Sequence, residues 1–150
     1  MIKPTAWIGI DPGKTGAAAL IHDEGQELLD WPGSPSLVVD KLTDWKFDFN
    51  VQLAALESVH AMPKQGVTSV FSFGQNFGTW QGILAALGIP FIMPRPREWQ
   101  KGLVRPSDGP DTKSRSLAVA RRLFPNAPLT RKKDHNRADA LLLAWWSRKQ

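Results

Sequence analysis

Residues 5–22 run Thr5-Ala6-Trp7-Ile8-Gly9-Ile10-Asp11-Pro12-Gly13-Lys14-Thr15-Gly16-Ala17-Ala18-Ala19-Leu20-Ile21-His22, and their reading decides the fold. An apolar, β-rich run ends in an acid, a Pro- and Gly-containing turn follows, and a second apolar run resumes at once. Asp23-Glu24-Gly25 turns the chain again and residues 27–31 continue it, so the spacing predicts a three-stranded antiparallel meander. Gly13-Lys14-Thr15 looks like the end of a phosphate-binding loop, but counting dismisses it. Only three residues separate Gly9 from Gly13 where that loop needs four, and a strand follows rather than a helix.

Downstream, Ser34-Pro35 places an N-cap before a first-turn proline and opens a helix through Leu37, Val38, Leu42 and Trp45. Residues 51–57 form an apolar run ending in Glu57, as a buried strand does. A loop over 58–67 leads to a helix over 68–87 whose stripe is Phe73, Phe77, Trp80, Leu84 and Leu87. Gly74, Gly78 and Gly82 make a second stripe at spacing four. Each glycine costs a helix about 1 kcal/mol relative to Ala, so the stripe implies a closely approaching backbone, either the protein's own sheet or a second subunit. A short strand over 89–93 precedes a Pro-, Gly- and Asp-rich stretch with a small amphipathic piece at 99–103. Asp111 or Thr112 then caps a helix with Leu117, Ala120, Leu123 and Phe124 inward and Lys113, Arg115, Arg121 and Arg122 outward, ended by Pro125. A basic loop and a final helix over 136–148 complete the order βββαβαβαα, which points to an α/β fold with a mixed sheet.

With 150 residues, the chain fits one domain, 1–150, with a self-sufficient core. The absence of cysteine excludes disulfides, Cys-ligated zinc and thiol catalysis. No apolar run approaches the roughly 20 residues of a membrane span, and no secretory signal pattern opens the chain, so a cytoplasmic protein is expected. The net charge of +5 is unevenly placed: residues 1–94 hold 5 Lys/Arg and 9 Asp/Glu, and residues 95–150 hold 14 and 5. A basic C-terminal third suits a polyanion.

Three acids stand in apolar settings: Asp11 and Glu57 at strand ends, and Asp139 on the last helix before Ala140-Leu141-Leu142-Leu143-Ala144. Carboxylates seldom sit beside a core without a partner. If the two strands are parallel neighbours, their ends lie about 4.8 Å apart, and a cation must relieve the repulsion. Oxygen-only ligands favour Mg²⁺ or Mn²⁺.

At these positions the chain resembles the RuvC-type Holliday junction resolvases of the RNase H-like superfamily, particularly their short phage-encoded forms. Ile8-Gly9-Ile10-Asp11-Pro12-Gly13 is similar to the opening motif and Leu56-Glu57 to the second acid. Residues 62–67, Phe73-Gly74 and Gly78 are similar to the loop and helix that follow, and residues 134–141 to the closing motif. The resemblance implies a five-stranded mixed sheet, three antiparallel strands then parallel ones, flanked by helices. It also implies a homodimer that cuts branched DNA, four-way junctions above all, by phosphodiester hydrolysis with two metal ions per site. Asp11, Glu57 and Asp139 carry over as catalytic metal ligands. Asn136 stands where many members have an acid or His, so the fourth ligand is expected from Asp134, with His135, on the face of Asp139, as alternative ligand or proton-transfer group.

Phosphate contacts are expected from Lys101, Lys113, Arg115, Arg121, Arg122, Arg131, Lys132, Lys133 and Arg137. His60, Met62 and Lys64 are expected to reach the junction's exchange point, with an apolar side chain wedging unstacked bases. The nearest rival is an RNase H-like nuclease acting on flap DNA, single strands or RNA–DNA hybrids. An actin-like ATPase, which opens similarly, needs a second domain, and a noncatalytic nucleic-acid-binding module leaves the acids unexplained.

Overall fold

A computed structural model of the chain describes residues 2–58, 60 and 62–150. The elements in order are β1 (Thr5–Asp11), β2 (Ala17–His22), β3 (Gly25–Asp30), α1 (Pro35–Asp48), β4 (Asn50–Leu56), α2 (Val67–Ala86), β5 (Phe91–Ile92), α3 (Pro96–Gln100), α4 (Thr112–Leu123) and α5 (His135–Ser147). They form one five-stranded sheet in the order β3-β2-β1-β4-β5. β1, β2 and β3 pair antiparallel, while β4 joins β1 and β5 joins β4 in parallel. The expected α/β mixed sheet is therefore present. The expected amphipathic piece at 99–103 lies earlier, because Pro96 starts a helical turn that ends at Gln100.

Strand alternation sorts the core into two layers. Ala6, Ile8 and Ile10 of β1, with Ala54 and Leu56 of β4, face α1 and α2, where Val38, Leu42, Trp45, Trp80 and Leu84 cover them. The opposite face carries Ala17, Ala19 and Ala55 beneath α4 and α5. Small side chains on that face let a helix lie close to the sheet. Gly9 is the extreme case: a Cβ there would stand 2.0 Å from the Ala140 carbonyl oxygen and 2.3 Å from the Ala144 nitrogen. Any other residue would lift α5 off β1.

The β1–β4 register contains an irregularity. Ala6 pairs with Val51 but Trp7 pairs with Leu53, so Gln52 is passed over. A one-residue slip exchanges the two faces of a strand. Here it sets Ala55 and Glu57 toward α5 and makes Ile10 the partner of Leu56.

The glycine stripe of α2 does not pack on the protein's own sheet. A Cβ at Gly74, Gly78 or Gly82 would meet nothing within 4 Å, because α2 turns Trp80, Ile83 and Leu84 inward and leaves the glycines outside.

Candidate active site

Asp11 ends β1 at the mouth of the Pro12–Gly16 turn. That turn closes through the Gly16 amide, which donates to the Gly13 carbonyl at 2.8 Å, and a Cβ on Gly16 would reach the Asp11 carbonyl at 2.0 Å. The Asp11 Oδ1 accepts the Gly13 amide at 3.1 Å. Burial pushes the carboxyl upward from its ordinary range, and this hydrogen bond opposes it. Glu57 follows β4, and its amide continues the ladder by donating to Ile10 O at 3.0 Å. The two acids therefore stand on adjoining parallel strand ends, about 4.8 Å apart at the backbone, and share the α5 face. Burial pushes Glu57 up to about 7, Trp99 opposes the shift and the nearby Asp11 charge adds to it.

The third acid arrives through Gly9. Because α5 touches β1 there at Ala140, its neighbour Asp139 lies beside the end of the strand. Part of Asp139 reaches the surface, but its Oδ1 is buried with no hydrogen-bond partner among the described residues. Burial raises this carboxyl well above its ordinary range; the Asp11 and Glu57 charges raise it further, and the Ser116 hydroxyl and the Lys113 ammonium oppose them. Each of the three acids is thus harder to ionise in the metal-free protein.

An oxygen-only donor set with one orphaned buried carboxylate oxygen fits a hard divalent cation in kind. As the side chains stand, no three acids among the described residues converge on one ion position. Asp11 Oδ1 is turned to the Gly13 amide and Glu57 Oε2 to the Trp99 indole, which donates at 2.6 Å.

Asp134, the expected fourth ligand, is engaged within its own turn. Its carboxylate caps its own turn by accepting the Arg131 amide at 2.8 Å, and it takes the Arg131 guanidinium at 3.0 and 2.8 Å. With Arg137 at 3.8 Å as well, it is neutralised by the protein itself, and Arg131 above all holds its pKa down. His135 lines an open cavity of about 520 Å³ with Lys113, Lys132 and Lys133. Burial and then Lys113 lower its pKa, which favours the neutral imidazole. Asn136, at the position where the family pattern has an acid or His, donates its amide to Thr15 Oγ1 at 3.2 Å and ties α5 to the β1–β2 turn.

The expected phosphate contacts divide by their partners. Lys101, Lys113, Lys132 and Lys133 are exposed and make no ion pair among the described residues. Arg137 is instead clamped to both carboxylate oxygens of Asp30 at 2.8 and 2.7 Å and donates to Pro128 O at 3.0 Å. Arg115 is spent on the carbonyls of Gly109 and Pro110, Arg121 on that of Leu129, Arg122 on Asp108, and Arg131 on Asp134. These arginines hold loops together, a role that charge counting does not reveal. Met62 and Lys64 are exposed on the loop after Glu57, as is His60; Val59 and Ala61 lie outside the described residues. Sequence reasoning also missed Trp99 and Ser116 as neighbours of the acids; only their apolar periodicity marked the helices that carry them.

Among solved structures the chain superposes on Thermus thermophilus RuvC in complex with a Holliday junction substrate. The TM-score is 0.61 and the identity 15%, over 96% of this chain and 91% of that one. The fold is that of RuvC. A second Thermus thermophilus RuvC structure aligns with a TM-score of 0.56 and 16% identity over 95% of this chain and 91% of that one. A stretch of 88 residues is 38% identical to the chloroplastic Holliday junction resolvase MOC1 of Chlamydomonas reinhardtii. That stretch is 57% of this chain, and it spans about a tenth of the relative's length, 10%. No protein-family model matches the sequence. On the RuvC-like sheet, Asp11 and Glu57 occupy the carboxyl ends of the two central parallel strands, where α/β sheets place their ligands.

Proposed function

We propose that the chain is a single metal-dependent nuclease domain, 1–150, that resolves four-way or otherwise branched DNA by phosphodiester hydrolysis. The observation that carries this reading is the grouping of Asp11, Glu57 and Asp139 on one side of the sheet, each made harder to ionise by burial, Glu57 and Asp139 also by a neighbouring charge. The RuvC fold and the resolvase named among the similar proteins favour a junction as substrate.

Asp11, Glu57 and Asp139 would hold two Mg²⁺ or Mn²⁺ ions. Such a pair supplies an activated water and stabilises the leaving 3′ oxygen. His135, whose neutral form is the one favoured, would complete the set or take a proton. Lys101, Lys113, Lys132 and Lys133 would bind phosphates, and Met62 and Lys64 would meet the exchange point. Two strands of a junction need two sites, so a homodimer is part of the proposal. Among the described residues no helix is long and apolar enough to cross a membrane. The compartment proposed is the cytoplasm of a bacterial or phage-infected cell.

The test is a Mg²⁺ titration on a synthetic four-way junction with cuts mapped on all four strands. Paired, symmetric nicks that need the metal support resolution. Cleavage of flaps, single strands or RNA–DNA hybrids with the junction left intact would transfer the same acids to the rival substrate.

A further inference from the structure

Glu57 has a partner that its own strand does not supply. Trp99 is fully buried, stands 42 positions away on α3, and gives its indole N–H to Glu57 Oε2. Two other tryptophans are equally buried, and their indoles fare differently. Trp45 donates to Glu27 at 3.2 Å, and Trp80 Nε1 has no partner among the described residues. Burial alone therefore does not force an indole in this protein to find a carboxylate. Of the two that bond, Trp99 makes the shorter contact, and makes it to a residue of the acid cluster.

The helix that carries Trp99 is braced for the purpose. Pro96 opens it, Glu98 caps it by accepting the Arg95 amide at 2.9 Å, and Ser58, next to Glu57, donates its amide to Pro94 O at 2.7 Å. The segment after Glu57 and the segment before α3 are thus tied at the backbone and again at the side chains. Among the described residues, the indole is the one hydrogen-bond donor to the Glu57 carboxylate.

We infer that Trp99 is a positioning residue for Glu57: the indole fixes Oε2, so that the carboxylate offers a cation Oε1 alone. The inference rests on reading the three acids as a metal site. A neutral donor orients a carboxylate without cancelling its charge, unlike the arginine that neutralises Asp134. Partners of this kind behind metal ligands are worth about 10–100-fold in affinity or activity.

Indole ¹H–¹⁵N spectra of the DNA-free protein test the bond, and calorimetry with Mn²⁺ tests its consequence. Trp99→Phe keeps an aromatic ring and removes one of seven indole cross-peaks, which assigns it. That peak is expected to move on Glu57→Gln and to shift during Mg²⁺ titration of the wild-type protein. Trp99→Phe is expected to bind Mn²⁺ about tenfold more weakly, with junction cleavage recovering as Mg²⁺ is raised. A peak unmoved by Glu57→Gln, or equal Mn²⁺ affinity in Trp99→Phe and wild type, overturns the inference. If Trp99→Phe folds poorly, backbone-based assignment of the wild-type spectrum and the response of the peak to Glu57→Gln decide the matter. Wild-type protein that binds no cation overturns both readings. Metal binding that depends on Trp99 without cleavage of any junction supports the positioning role and sinks the proposed substrate.

Discussion

Asp11 and Glu57 end neighbouring strands, and in the metal-free protein burial, with the Asp11 charge adding to it, makes Glu57 harder to ionise. Asp11→Asn is expected to lower metal-dependent cleavage by more than about 100-fold, beyond what loss of a ligand's partner costs, while junction affinity stays within a few-fold. Without metal the same variant is expected to melt higher than wild type, because one of the buried charges is gone. Retained cleavage in a nicking assay would refute the role. The pH dependence of the metal-free fold follows from Glu57. Its folded pKa, about 7, lies above the unfolded 4.5, so the folded protein binds more protons between those values. The contribution of Glu57 to stability is full below about pH 4.5 and is lost as pH rises through 7. At 1.36 kcal/mol per pH unit, that difference corresponds to about 3 kcal/mol. Urea unfolding with a chelator at pH 5 and pH 8 should show the fall, and Glu57→Gln should lessen it, leaving the part due to Asp11 and Asp139.

Two helices show what glycine does in opposite settings. α5 sits on β1 because Gly9 has no side chain, and a Cβ there would meet the α5 backbone at 2.0 Å. Gly9→Ala is expected to destabilise by about 1–3 kcal/mol and to reduce cleavage as well, since moving α5 moves Asp139. Gly82 lies on the open face of α2, where an added Cβ meets nothing within 4 Å. Gly82→Ala is expected to stabilise by about 1 kcal/mol through helix propensity alone. Thermal unfolding of both variants checks the pair, and a Gly9→Ala protein as stable and active as wild type would refute the account of how Asp139 is placed. The spacing-four glycines are visible in sequence, yet periodicity does not say whether a stripe faces the sheet or solvent. That depends on which stripe carries Trp80 and Leu84.

Across the whole molecule, charge and its partners separate binding from scaffolding. Lys101, Lys113, Lys132 and Lys133 are exposed, and replacing each by Ala is expected to weaken junction binding and lower the slope of log affinity against log salt by about 1. Arg137→Ala is expected to leave that slope unchanged and cost about 1 kcal/mol of stability, because its guanidinium is committed to Asp30. Titrations at several salt concentrations compare the two classes, and a lower slope for Arg137→Ala would reverse its assignment. The strand-end acids and the helix acid were legible because each interrupts a run of local apolar residues. The ion pair of Arg137 with Asp30 and the bond of Trp99 to Glu57 were not, since these partners lie 107 and 42 positions apart and only the folded topology joins them. The skipped residue at Gln52 was equally hidden, because no local pattern announces a break in pairing with a strand so far upstream. It has a consequence for reading kindred genes. A chain that pairs these two strands without the interruption must carry its acid one place earlier, so an alignment that forbids gaps inside strands will match Glu57 to the wrong column.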